Sequence, residues 1–176
     1  MLDEKRIKEA EKNVAVYLRD GLVRKIDTTN ESIKNTYERN YKESLNAATK
    51  LFESNTSNLW VIVCSYYSMF YIANAVLYKN NYKIGSKIPH KVTTESLIVF
   101  VRNKLKKSLL EEYEKAEAEA LELTGRKTDE IIESFGNELE KRSFFQYEST
   151  EDIKRAKAET SLERAKKFIF EMRKLL

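Results

Sequence analysis

The chain has 176 residues, of which 34% are charged and 41% hydrophobic, and its formal net charge is +4. That length suits one domain with a substantial core, and so modest a charge does not by itself mark a nucleic-acid binder. With 4 Gly, 1 Pro, 1 Cys and 1 His, a disulfide within the chain and a zinc site of the usual nitrogen and sulfur ligands are excluded, and the scarcity of turn residues predicts an all-helical protein with few loops.

The start, MLDEKRIKEAEK, has no apolar h-region and does not read as a secretory signal, so a reducing, cytoplasmic compartment is expected. Residues 3–25 are predicted to form an amphipathic helix, with Ile7, Ala10, Val14, Leu18 and Leu22 at helical spacing and Gly21 near its end. Thr28 and Glu31 have the spacing of a capping box and open a second helix through about Ser54, with Ile33, Tyr37, Tyr41, Leu45, Ala48 and Phe52 on one face.

SNTSN (54–58) supplies a turn and an N-cap for a third helix, 58–79. It lies in a run without charge from Ser54 to Tyr78, long enough to cross a bilayer. Ser65, Tyr66, Tyr67, Ser68, Tyr71 and Asn74 crowd the middle of that run. In hydrocarbon each such group costs several kcal/mol without a partner, whereas a bundle interior buries a Tyr ring and still offers its hydroxyl a partner. The segment is read as the central helix of a bundle, not a membrane span.

KNNYKIGSKIPH (79–90), with Gly85 and the sole Pro, is the longest expected loop. Thr93 or Thr94 caps a helix through Leu97, Ile98 and Val101 to about Lys107, and an acidic helix follows from Ser108 to Leu123. TGRKT (124–128) is expected to break or kink it, a further helix runs from about Asp129 to Phe145, and Ser149 and Asp152 cap the last one. The whole reads as an antiparallel up-and-down bundle of about five to seven helices. No repeat is visible, and heptads are too irregular for a long coiled coil.

Charge is unevenly placed. Residues 79–107 hold eight Lys or Arg against Glu95, or +7; residues 108–140 hold eleven acids and three bases, or −8. These stretches either complement one another, within the bundle or across a dimer, or leave a basic rim around residues 79–91 that attracts phosphate.

Most enzyme chemistries lack their residues. No Glu-x-x-His pairing of a di-iron bundle and no Gly-rich phosphate loop is present, and a Ser-His-Asp or Cys-His system would have to use His90. Neither a metal nor a cofactor is expected. The misplaced residue is Arg142. It continues the stripe Ile132, Phe135, Leu139, and Gln146 follows it. A guanidinium there needs a carboxylate, a phosphate or several carbonyls, since it does not shed its proton.

SYYSMF (65–70), the loop SKIPHK (86–91) and EKRSFFQYEST (140–150), in that order, resemble the HEPN domain, in particular small stand-alone prokaryotic members. The matching positions are Ser65 to Phe70, His90, Lys91, Arg142, Phe145, Gln146 and Tyr147. The resemblance covers about residues 30–176, leaving 1–29 as an N-terminal accessory helix. It implies a dimeric bundle, often beside a minimal nucleotidyltransferase in a toxin–antitoxin pair, and in many members a metal-independent ribonuclease whose Arg holds phosphate while a His four to six residues later moves the proton.

Here Tyr147 stands five residues after Arg142 and no His follows it. With a pKa near 10 a Tyr is a poor base at neutral pH. On a continuous helix it would also sit about 140° around from Arg142. Three readings follow. The first is a domain without full ribonuclease activity that binds nucleotide, RNA phosphate or a nucleotidyltransferase through Arg142, Gln146, Lys91 and Lys87. The second is a metal-independent endoribonuclease toxin using Arg142 with Tyr147 or His90. The third is a non-catalytic dimerisation scaffold.

Overall fold

The computed structural model describes residues 2–136 and 155–176, with side chains described for 2–125 and 155–176. Arg142, Gln146 and Tyr147 lie outside the described residues. The order is α1 (Glu4–Arg19), β1 (Val23–Lys25), α2 (Glu31–Glu53), α3 (Asn58–Lys79), β2 (Tyr82–Ile84), α4 (Pro89–Phe100), a 3-10 turn (Arg102–Lys104), α5 (Lys107–Gly136) and α6 (Arg155–Arg173). The fold is all-α, with one two-stranded sheet among the described residues.

α3 is the centre. It buries fourteen residues, including Val61, Ile62, Tyr66, Met69, Ile72 and Leu77, and packs against α2, α5 and α6. It is long and apolar enough to cross a membrane, yet two thirds of its most apolar window is buried against the rest of the chain. Ser57 caps its start by accepting from the Trp60 amide. Its far end fixes α2, because the Tyr78 hydroxyl accepts the backbone N–H of Asn30 at 2.8 Å. Asn30, whose Oδ1 accepts from Ser32 and Ile33, caps α2 in place of the expected Thr28–Glu31 box.

α1 stops well before residue 25. Asp3 caps it, Ala10, Val14 and Tyr17 are buried, and after Arg19 the chain reverses through Gly21 at φ +71°. That left-handed conformation suits glycine. The next residues form β1 instead of a further helical turn, pairing Val23 with Ile84 and Lys25 with Tyr82 in antiparallel register. A Cβ on Gly85 would stand 3.2 Å from the Leu22 carbonyl, so the hairpin closes tightly there. Part of the expected loop 79–90 is therefore strand.

α4 starts at Pro89, earlier than expected, and ends at Phe100, and the 3-10 turn separates it from α5. α5 runs unbroken through TGRKT, against the expected break. A glycine inside a helix costs only about 1 kcal/mol, Gly125 has open space around it, and the Thr124 hydroxyl donates to the Ala120 carbonyl. The acid-rich helix finds its counter-ions away from the basic 79–107 stretch. Among the described residues its ion pairs go to Arg6 on α1 and to Arg164 and Lys167 on α6.

Candidate functional site

Three of the sequence-predicted site residues, Lys87, His90 and Lys91, meet at the amino end of α4. The chain enters that helix through Ile88 at φ 41° and ψ 46°. This is the left-handed region for a β-branched residue that also precedes proline, two reasons for steric strain of about 1–3 kcal/mol. Ile88 gains little burial in return, being 56% exposed. No side chain caps the helix, Pro89 has no N–H, and the amides of His90 and Lys91 meet no acceptor among the described residues. Unbonded amides at the positive end of a helix dipole form an anion-binding corner. Lys87 and Lys91 are both exposed beside it and make no ion pair among the described residues.

The other bases of the 79–107 stretch do not join this corner as one patch. Arg102 lies past the other end of α4, about 18 Å along at 1.5 Å per residue. There it donates to Glu11 at 3.0 Å and to the Ile98 carbonyl. Lys104 donates to Asn80 Oδ1 at 2.8 Å, and Lys79 to the Leu176 carbonyl.

His90 is half-buried and leans back onto α3. Its ring centroid is 4.7 Å from that of Phe70, 5.6 Å from Tyr66 and 5.7 Å from Tyr67. Burial pushes its pKa below the ordinary 6.5, so it is neutral at pH 7. Its Nδ1 lies 2.7 Å from the Tyr66 hydroxyl. Burial raises the Tyr66 pKa strongly, so the phenol keeps its proton. The neutral ring carries a single N–H: where the Tyr66 hydroxyl donates to Nδ1, the ring proton sits on Nε2. In that tautomer Nε2–H is a donor with no partner among the described residues. It suits an anion, and it has no free lone pair with which to accept a proton.

Behind His90 lies a buried polar seam. Tyr66 and Tyr113 pack with centroids 6.1 Å apart. Thr94 donates to the His90 carbonyl at 3.2 Å and is also bonded to Glu117. Burial raises the Glu117 pKa. Nothing in the sequence singled out the Tyr66–His90 pair, because periodicity does not tell which tyrosine of SYYSMF turns inward to a loop 24 residues away.

Among the described residues no group of three or more His, Cys, Asp or Glu is placed to hold a metal ion. The site can hold an anion and stack an aromatic ring. Among the described residues it has no acid–base pair poised on a common point. No family model matches the chain, and no curated protein and no solved structure matches it either.

Proposed function

We propose that this chain is a HEPN-type helical domain that binds the phosphate of a nucleotide or RNA at the amino end of α4 and lacks full ribonuclease activity. The observation that carries the reading is that the amides of His90 and Lys91 meet no acceptor among the described residues, with Lys87 and Lys91 exposed beside them. The half-buried rings of Tyr67 and Phe70 beside His90 favour a nucleotide over bare phosphate, because any base can stack on them. In this reading the Tyr66 hydroxyl donates to Nδ1 of His90, so that Nε2–H faces the anion and the ring has no free lone pair to carry the proton.

In this reading Arg142 and Gln146 contribute to the same phosphate, as the resemblance implies, and Tyr147 does not replace the missing His. The domain is an antiparallel up-and-down bundle that dimerises, in the cytoplasm, and a minimal nucleotidyltransferase is its protein partner. The test is calorimetric titration with adenosine monophosphate. Lys91→Ala and Arg142→Ala are each expected to weaken binding about tenfold, the loss of one charge-assisted contact. Equal binding by both variants and the parent would remove these residues from the site.

A further inference from the structure

The β1–β2 ribbon carries a charge arrangement that the fold leaves unanswered. Its register puts Arg24 directly opposite Lys83. The neighbouring pair, Val23 and Ile84, is buried. By the alternation of a strand, Arg24 and Lys83 therefore turn to the opposite face, and both are exposed there. Side chains paired in this way have their Cβ atoms about 5 Å apart, and like charges so placed repel.

No acid relieves them. Arg24 donates through Nε to the Gly21 carbonyl at 3.3 Å, and neither Arg24 nor Lys83 makes an ion pair among the described residues. Asp20 is held by Arg19 at 2.9 Å, and Asp27, exposed beyond the end of β1, pairs with neither of them among the described residues. Lys25, the next residue of β1, is exposed as well. The contrast is with Lys79, Arg102 and Lys104, each of which has an acceptor within the chain.

The ribbon also adjoins the corner at the amino end of α4. Lys83 and Lys87 are four residues apart, at most about 14 Å of chain. Tyr82 of β2 stacks on Phe100 of α4 with ring centroids 3.7 Å apart, which ties ribbon and helix together and holds the two cationic places in a fixed relation.

We infer that the outer face of the ribbon takes a second phosphate of the ligand held at α4, so that the site binds a single-stranded oligonucleotide in preference to a mononucleotide. The inference rests on the phosphate reading of the α4 corner. One phosphate fills that corner, and the opposed pair beside it calls for another anion. A phosphate between Arg24 and Lys83 turns their repulsion into two attractive contacts, the guanidinium as a fork and the ammonium as a point charge. A single strand also leaves a base free to stack on Tyr67 and Phe70.

The test compares adenosine monophosphate, by calorimetry, with a short fluorescein-labelled oligoadenylate, by anisotropy over a salt series. The oligoadenylate is expected to bind the parent more tightly than the mononucleotide. Arg24→Gln with Lys83→Gln should weaken the oligoadenylate about tenfold, two surface charge contacts. It should also flatten the slope of log affinity against log salt by about 1.4, at about 0.7 per phosphate contact on a single strand. Binding of the mononucleotide should not change. Lys8→Gln with Lys12→Gln removes two exposed lysines of α1 and should leave both ligands and the slope as in the parent. An unchanged slope in the ribbon variant, an equal flattening in the α1 variant, or an oligoadenylate no tighter than the mononucleotide would overturn the inference while leaving the α4 reading intact. Failure of the parent to bind the mononucleotide would defeat the α4 reading itself. Displacement of the oligoadenylate by an equal concentration of poly-glutamate would also overturn the inference, making the ribbon a contact for an acidic protein.

Discussion

The Tyr66 hydroxyl and the Nδ1 of His90, 2.7 Å apart, join the central helix to the first turn of α4 and decide which face of the imidazole the solvent meets. A tyrosine that donates inward leaves the histidine donating outward. With Tyr66 as donor, the only histidine of the chain is a hydrogen-bond donor at a helix terminus whose His90 and Lys91 amides meet no acceptor among the described residues.

Tyr66→Phe removes the inward donor. Nδ1 then regains a free lone pair or its proton, and the tautomer preference should relax. Loss of a buried hydrogen bond that leaves the ring nitrogen unsatisfied is expected to cost about 1–2 kcal/mol in urea unfolding. The His90 pKa supplies a second readout. Burial holds it below 6.5, so the folded state takes up its proton later than the unfolded chain. Stability from this group is present above pH 6.5 and lost as pH falls through the folded value. A single imidazole resonance titrating at or above 6.5 would contradict the burial.

Ile88 carries the backbone strain of the site. Glycine tolerates φ 41° without a Cβ clash, at the cost of a more flexible unfolded chain. Ile88→Gly is expected to stabilise the protein by about 1 kcal/mol, the strain relieved less that entropy. A loss of stability in chemical denaturation would mean that the left-handed turn is not where the cost lies.

Glu117 gives the opposite pH dependence to His90. Burial, with Glu114 and Glu95 adding repulsion and Arg6 opposing it, raises its pKa above the ordinary 4.5. The folded state therefore holds the proton more tightly than the unfolded chain, and the associated stability is present below 4.5 and lost as pH rises through the folded value. Glu117→Gln keeps the neutral shape throughout. Its melting temperature relative to the parent should climb between pH 4 and pH 7, and a flat difference would show that the carboxyl is not penalised by burial.

Arg6 ties α1 to α4 and α5. Removing it leaves Glu95, 2% exposed, with the Asn13 amide but no cation. Arg6→Ala is expected to cost about 3 kcal/mol, and the double variant Arg6→Ala with Glu95→Gln should recover much of it. Additive losses in the double variant would show that the two groups do not interact.

What could be read from the residues follows from how local each signal is. The central helix matched its expected span, Asn58–Lys79, because it is apolar on nearly every side and Ser57 stands where a cap is needed. The hairpin was illegible. Its strands are three residues each, too short to show a period, and Val23 pairs with Ile84 across the whole of two helices. The break expected in α5 failed because the low helix propensity of Gly125 is weak evidence against the long run of Glu, Ala and Leu that precedes it. At the site, Lys87, His90 and Lys91 were legible as a basic loop with the one imidazole. The division of the basic stretch between the two ends of α4 was not, since it depends on where that helix starts. The meeting of Arg6 with Glu95 and Glu114 needs three elements to converge, and no spacing within the chain encodes that.

The most direct measurement is a 15N NMR titration of His90 and the α4 amides with adenosine monophosphate. The expected starting state is a bare Nδ1 and a protonated Nε2. On titration, saturable shifts should appear at Nε2 and at the backbone amides of His90 and Lys91. A ring protonated on Nδ1 in the free protein, or His90 and Lys91 amides that stay fixed at saturating nucleotide, would contradict phosphate binding at this helix end.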